Sequence, residues 1–237
     1  METRFSRDRI RSAVVAVADM FPTVMQGASW VSQSEGYLWS ELVACILGSQ
    51  VSHEMCSAAH ERLDRHGLLD VGPASDLDDL GQDLACVLSL PFERADNSFH
   101  FSGRYRFARS KSRQIAVTAS RLYGNSRGLR AILGGTTNPR IARRKLIGLC
   151  CGIGPKQSSL FLRNIGFTSE LAVLDVHIIR YMAWMGIGTQ AGAALNSLRK
   201  YEEQERCFRR HADTYGVSPG ILDEAVWVVM RTISTGV

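Results

Sequence analysis

The chain reads as an all-α fold. Apolar residues recur at helical spacing in most segments, and Gly, Pro and Asn stand where those segments should begin or end. No block alternates with the period of two that marks a half-buried strand, and there is no internal repeat or low-complexity tract. A length of 237 residues with 45% apolar composition suffices for one compact unit of two lobes.

The elements follow in order. Ile10, Val14, Val17 and Phe21 fall on one face of a helix over 6–20, which Pro22 ends. A second helix is predicted over 37–47. A third runs over 52–65, with Ser52 as N-cap, Glu54 in the first turn where the helix dipole favours an anion, and Gly67 as its stop. The acidic stretch 70–83, with Gly72-Pro73 and Asp76-Leu77-Asp78-Asp79, predicts a solvated loop that leads into a short helix and faces away from any anionic partner. The next helix is expected over 104–123. It carries Ile115, Ala119 and Leu122 on one side, with Arg104, Arg106, Arg109, Lys111 and Arg113 scattered around it, and Gly124-Asn125 closes it. Gly134-Gly135-Thr136-Thr137 predicts a turn, Asn138 an N-cap and Pro139 the first position of a helix. That helix has Ala142, Leu146 and Leu149 on one side and Arg140, Arg143, Arg144 and Lys145 on the other. Helices over about 191–213 and 219–233, the latter opened by Ser218-Pro219, complete the set.

Composition narrows the function classes. No apolar run is long enough to span a bilayer, and residues 1–7 lack a secretory pattern, so a soluble, cytoplasmic protein is expected, associated with the nucleoid in a prokaryote. Six cysteines at 45, 56, 86, 150, 151 and 207 include no Cys-x-x-Cys pair. This spacing predicts reduced thiols and argues against both zinc and a four-cysteine iron-sulfur cluster. A net charge of +5 and a pI near 9.0 are compatible with a nucleic-acid partner.

The stretch Cys151-Gly152-Ile153-Gly154-Pro155-Lys156 lies between two predicted helices. Glycines there allow a tight turn and a close backbone approach, and the amides opening the second helix suit a phosphate. Lys156 sits in the first turn, where the dipole disfavours a cation, and a residue that breaks a local rule points to function. The dipole favours the neutral, nucleophilic amine. A carboxylate nearby favours the ammonium, and Asp175 follows nineteen residues later. Asp175 is also a good N-cap for the helix beginning at Val176.

These residues carry a resemblance. Gly152-Ile153-Gly154-Pro155-Lys156, Phe161-Leu162-Arg163-Asn164-Ile165-Gly166 and Leu174-Asp175-Val176-His177 resemble the helix-hairpin-helix (HhH-GPD) DNA glycosylase superfamily. Within it they are most similar to 8-oxoguanine DNA glycosylase/AP lyases of the archaeal and bacterial type. The core match covers roughly 145–185, and a looser similarity reaches Leu42 to Gln50 and the final helix. The resemblance implies two helical lobes flanking a cleft, drawn here as 1–36 with 188–237 and as 37–187, the latter including the hairpin segment 139–166. It implies a monomer acting on double-stranded DNA with a damaged base, without membrane or cofactor.

Lys156 would attack C1′ of a flipped nucleotide, Asp175 would stabilise the cationic sugar, and an imine would permit β-elimination. Gly152 and Gly154 would bind the DNA backbone, Gln50 would enter the gap left by the flipped nucleotide, and His177 would lie near phosphate. Asp223 and Trp227, four apart on the last helix, would hold the base; the apolar run around Trp227 fits a core position as well. The chain departs from better-known relatives in lacking the iron-sulfur cysteines and in ending at Gly236-Val237 without a charged residue. The alternatives are a monofunctional glycosylase for another lesion, with Lys156 on phosphate, and a non-catalytic helix-hairpin-helix DNA-binding module.

Overall fold

The computed structural model describes residues 6–21, 29–72, 77–94, 102–124, 128–188, 195 and 197–235. Pro22, the stretch from Pro73 to Asp76, Asn125, residues 191–194 and Gly236-Val237 lie outside the described residues, and the helix expected from about 191 begins at Leu198, with Ser197 as its N-cap. Among the described residues the structure is all-α apart from one minimal strand pair. Two compact units are present: a central one, Ser29–Ile165, and a terminal one, Met1–Ala28 with Gly166–Val237. No described helix is long and apolar enough to cross a membrane.

The central unit is built around α2 (Glu35–Leu47), whose Leu38, Trp39, Leu42, Val43, Cys45, Ile46 and Leu47 are all buried. Burial on several sides explains why this helix reads as apolar almost all round. Around it stand α3 (His53–Arg65), α5 (Ala108–Tyr123), α6 (Gly128–Gly134) and α8 (Pro155–Asn164); α4 (Leu80–Ser89) packs on α5, and α7 (Pro139–Leu149) on α8. The predicted caps form: Ser52 Oγ accepts from Met55 N at 3.2 Å, and Asn138 Oδ1 accepts from Arg140 N at 3.0 Å.

The helix expected from 104 begins at Ala108, because Gly103-Arg104 (β2) pairs antiparallel with Pro91-Phe92 (β1). Arg62 fixes that corner: its guanidinium donates to Leu90 O at 2.7 Å and Pro91 O at 2.8 Å, and lies 3.8 Å from the Phe92 ring centre. The helix α6 was not expected at all. It is capped from a distance, with the Glu35 carboxylate accepting from Leu129 N at 2.6 Å, Arg130 N at 3.1 Å and the Tyr123 hydroxyl at 2.9 Å. Arg143, placed on the charged face of α7, is 0% exposed and donates to Ser159 Oγ at 3.2 Å, because α8 covers that side. Lys111 is likewise buried, and loss of hydration pulls its ammonium below its ordinary range against the opposing influence of Cys56 and Cys151.

In the terminal unit α1 (Arg7–Ala18), capped by Ser6, packs on α11 (Pro219–Thr235) through Ile10, Val14 and Ala18. With α9 (Val176–Met185) and α10 (Leu198–Asp213) they enclose Tyr181, Met182, Tyr201, Phe208, Leu222 and Val226. The lobe boundary drawn at 187 differs from this division. Residues 166–187 go with the termini because Ile178, Tyr181 and Met182 of α9 bury themselves against α11.

Candidate functional site

The hairpin joins α7 to α8 in the central unit. α7 ends at Cys150, Gly152 turns the chain at φ +79°, and Gly154 is the N-cap of α8 with Pro155 at its first position. The turn rests on α5. Thr118 Oγ1 accepts from Cys151 N at 2.8 Å and donates to Gln114 O at 2.7 Å, while a Cβ on Gly152 would collide with the Gln114 side chain. Gly152 is therefore demanded by the fold, through both its left-handed backbone and its packing.

Gly154 is different. Its φ is −102°, and a Cβ there would meet nothing within 4 Å, so nothing in the chain itself requires glycine. The amides of Gly152, Gly154, Lys156 and Gln157 make no hydrogen bond among the described residues, and no side chain caps α8. Such an end binds anions, with the positive end of the dipole behind it.

Lys156 occupies the second position of α8, half-buried, and makes no hydrogen bond or ion pair among the described residues. α2 packs beside α8. Burial pushes the Cys45 thiol far up, Glu41 and Cys56 add to the shift, and Arg163 and Lys156 oppose it. Burial likewise raises Cys56 to about 11 and Cys150 to about 12, so these thiols stay protonated. All six cysteines are free. Among the described residues, no group of three or more His, Cys, Asp or Glu side chains is placed to hold a metal ion.

Asp175 lies in the terminal unit as the N-cap of α9, its Oδ1 accepting from His177 N at 2.8 Å and Ile178 N at 3.0 Å. It follows a buried segment outside the helices, 171–174, several of whose backbone groups are met by side chains. Ala172 N donates to Glu205 Oε1 at 3.2 Å, Val173 N to Asp223 Oδ2 at 2.5 Å, and Leu174 N to the Tyr201 hydroxyl at 2.9 Å, which in turn donates to Ala172 O at 2.8 Å. Buried amides need such partners, and here the partners fix where Asp175 stands.

The remaining predicted residues divide by unit. Gln50 is exposed in the turn between α2 and α3 and is the one non-glycine residue at positive φ, +68°, among those described. A residue held in that region stores strain, which concentrates at functional sites. His177 is half-buried in the first turn of α9, and its Nδ1 is buried without a hydrogen bond among the described residues. Asp223 is 2% exposed and engaged with Val173. Trp227 is partly buried against the core, with the Arg231 guanidinium 4.9 Å from its ring centre.

The structure thus brings together Gly152, Gly154 and Lys156 on the hairpin, and Asp175, His177 and Asp223 around the start of α9. Thr118 and Gln114, which brace the hairpin, escaped the sequence reading. Their signal was a threonine within the buried stripe Ile115, Thr118, Ala119, Leu122, where a polar group needs a partner.

An all-α protein with a braced hairpin, open amides and an adjoining unpaired amine belongs to the helix-hairpin-helix class. A family model described as 8-oxoguanine DNA glycosylase matches residues 80–217, and the chain belongs to that family. The 8-oxoguanine DNA glycosylase/AP lyase of Metallosphaera sedula is 30% identical over 194 residues, which are 82% of this chain and 82% of the relative. The protein of that name from Saccharolobus islandicus is 32% identical over 126 residues, 53% of this chain; the match spans 59% of the relative's length. The crystal structure of the 8-oxoguanine DNA glycosylase of Thermotoga maritima superposes with a TM-score of 0.63 at 25% identity, over 94% of this chain and 91% of the other. That of Methanocaldococcus jannaschii, at 23% identity, shares the fold with a TM-score of 0.70 over 94% and 93%.

Proposed function

We propose that this chain is a bifunctional DNA glycosylase and AP lyase that removes an oxidised purine, 8-oxoguanine first, from double-stranded DNA. The observation that carries the reading is the pairing of Gly154 with Lys156. The first is a glycine the chain does not need for itself but a closely approaching phosphate does. The second is an unpaired amine two residues on. The names of the relatives supply the substrate class.

In this reading the damaged nucleotide is drawn out of the duplex, and strained Gln50 fills the gap it leaves. The neutral amine of Lys156 attacks C1′; the C1′–N9 bond breaks with its electron pair going to the base, which takes up a proton. Positive charge develops on the sugar, and Asp175, held rigid by two α9 amides, stabilises it. The sugar ring opens as the imine to Lys156 forms, the amine giving up its protons. Loss of a proton from C2′ then expels the 3′ phosphate with the C3′–O electron pair, and water releases the lysine from the imine. His177 contacts phosphate, while Trp227 stacks on the base and Asp223 accepts from its N1 and N2 groups while holding Val173. No redox cofactor or metal is needed, and the protein works as a monomer in the cytoplasm.

Borohydride trapping on a duplex containing 8-oxoguanine tests the assignment. Wild type is expected to give a covalent adduct and Lys156→Gln none. Trapping on an abasic duplex alone removes the substrate assignment and keeps the lyase; no adduct on either duplex removes the lysine mechanism.

A further inference from the structure

Charge in this protein is segregated by element. The three helices that make and brace the hairpin, α5, α7 and α8, contain ten of the 28 Lys and Arg residues and no Asp or Glu, so the rest of the chain is net acidic. Three contacts set the register of α5 along the hairpin. Arg121 Nη1 reaches Leu149 O at 3.4 Å, Thr118 holds Cys151, and Gln114 lies under Gly152. Going backwards along α5, the contacts move from the end of α7 to the tip of the turn. The earlier turns, with Arg113 and Arg109, therefore run on past the tip, rising about 5.4 Å per turn. Both arginines are exposed, and neither makes an ion pair or hydrogen bond among the described residues. Unpaired guanidiniums on a helix free of carboxylates have no structural task of their own, and their planar fork suits phosphate oxygens.

We infer that Arg109 and Arg113 form a second DNA-backbone contact, which extends the footprint beyond the phosphate held by the hairpin amides. The inference rests on the proposed DNA-repair function and adds a surface that acts on affinity and register without touching the reacting nucleotide.

The test is the salt dependence of binding to a labelled, undamaged duplex, followed by fluorescence anisotropy between roughly 50 and 200 mM salt. Each arginine on a phosphate contributes about 0.9 to the slope of log K against log salt, so Arg109→Gln with Arg113→Gln lowers the slope by about 2. Single-turnover excision at saturating protein stays unchanged, as does the melting temperature. Arg199→Gln removes one charge from an exposed arginine already paired with Glu203 at 3.0 Å and leaves the slope as it was. A wild-type slope in the double variant, or a fall of about 1 in Arg199→Gln, overturns the inference while the excision reading stands. A wild-type chain that binds no duplex overturns both.

Discussion

Asp175 shows how one side chain can carry two separable duties. As an N-cap it satisfies two backbone amides of α9; as a carboxylate it supplies a fixed anion. Asparagine caps about as well as aspartate but carries no charge. Asp175→Asn is therefore expected to keep stability within a few tenths of a kcal/mol and to lose excision by about 10²–10³-fold. Asp175→Ala loses the cap as well, about 1 kcal/mol. Urea unfolding and single-turnover assays separate the two duties, and full excision in the asparagine variant would reduce Asp175 to a cap. The cap was legible in the sequence because its partners lie two and three residues away. The engagement of Asp223 was not, because Val173 lies fifty residues from it and only the folded segment 171–174 creates the need. A second residue-scale expectation concerns His211, whose Nε2 lies 3.0 Å from the Tyr181 hydroxyl with Tyr215 and Arg11 also facing it. Burial, reinforced by Arg11, holds its imidazolium below the ordinary value of 6.5. The native state thus prefers the neutral ring, and the unfolded chain binds the extra proton. This stability is present above pH 6.5 and is lost as pH falls through the lower native value. His211→Gln keeps a partner for Tyr181 without titrating, so its urea midpoint should fall less than that of wild type between about pH 7.5 and 5.

At the scale of elements, the two glycines of the hairpin answer to different masters. Gly152→Ala meets both a left-handed φ, costing roughly 1–2 kcal/mol, and the Gln114 side chain. Pairing it with Gln114→Ala should relieve the packing part and leave the backbone part, a double-mutant cycle with a coupling of favourable sign. Gly154→Ala has open space and an ordinary φ. It should cost no more than about 1 kcal/mol, the difference between glycine and alanine at an N-cap, while weakening duplex binding at least as much as Gly152→Ala does. Thermal melts set against anisotropy decide the matter, and a Gly154→Ala protein with undiminished binding would show that no backbone approaches there. The sequence exposed the hairpin well because Asn138-Pro139, Gly152 and Gly154-Pro155 are local signals. It concealed α6 and the β1–β2 corner, whose causes are a carboxylate and a guanidinium reaching in from distant helices, Glu35 and Arg62.

At the scale of the molecule, the all-α class was legible from periodicity, but the helix against which α9 packs was not. Spacing shows that Ile178, Tyr181 and Met182 lie on one face but not which helix receives that face. The receiver is α11, and the same helix also receives α1 from the other end of the chain. The terminal unit is consequently discontinuous, with both ends of the chain needed to close its core, while the central unit is one uninterrupted stretch with its own buried helix α2. An uninterrupted stretch with its own core can fold alone, whereas α11 without α1 leaves uncovered the side that receives Ile10, Val14 and Ala18. Burying side chains of this size is worth about 1–3 kcal/mol each, enough to decide the fate of so small a unit. A fragment of residues 29–165 should therefore melt cooperatively by circular dichroism. A fragment of 166–237 should show little cooperative structure until a peptide of residues 6–21 is added, and then gain helix at a saturable stoichiometry of one to one. Cooperative melting of 166–237 by itself would mean that α9, α10 and α11 close a sufficient core among themselves and that α1 is only an addition to it.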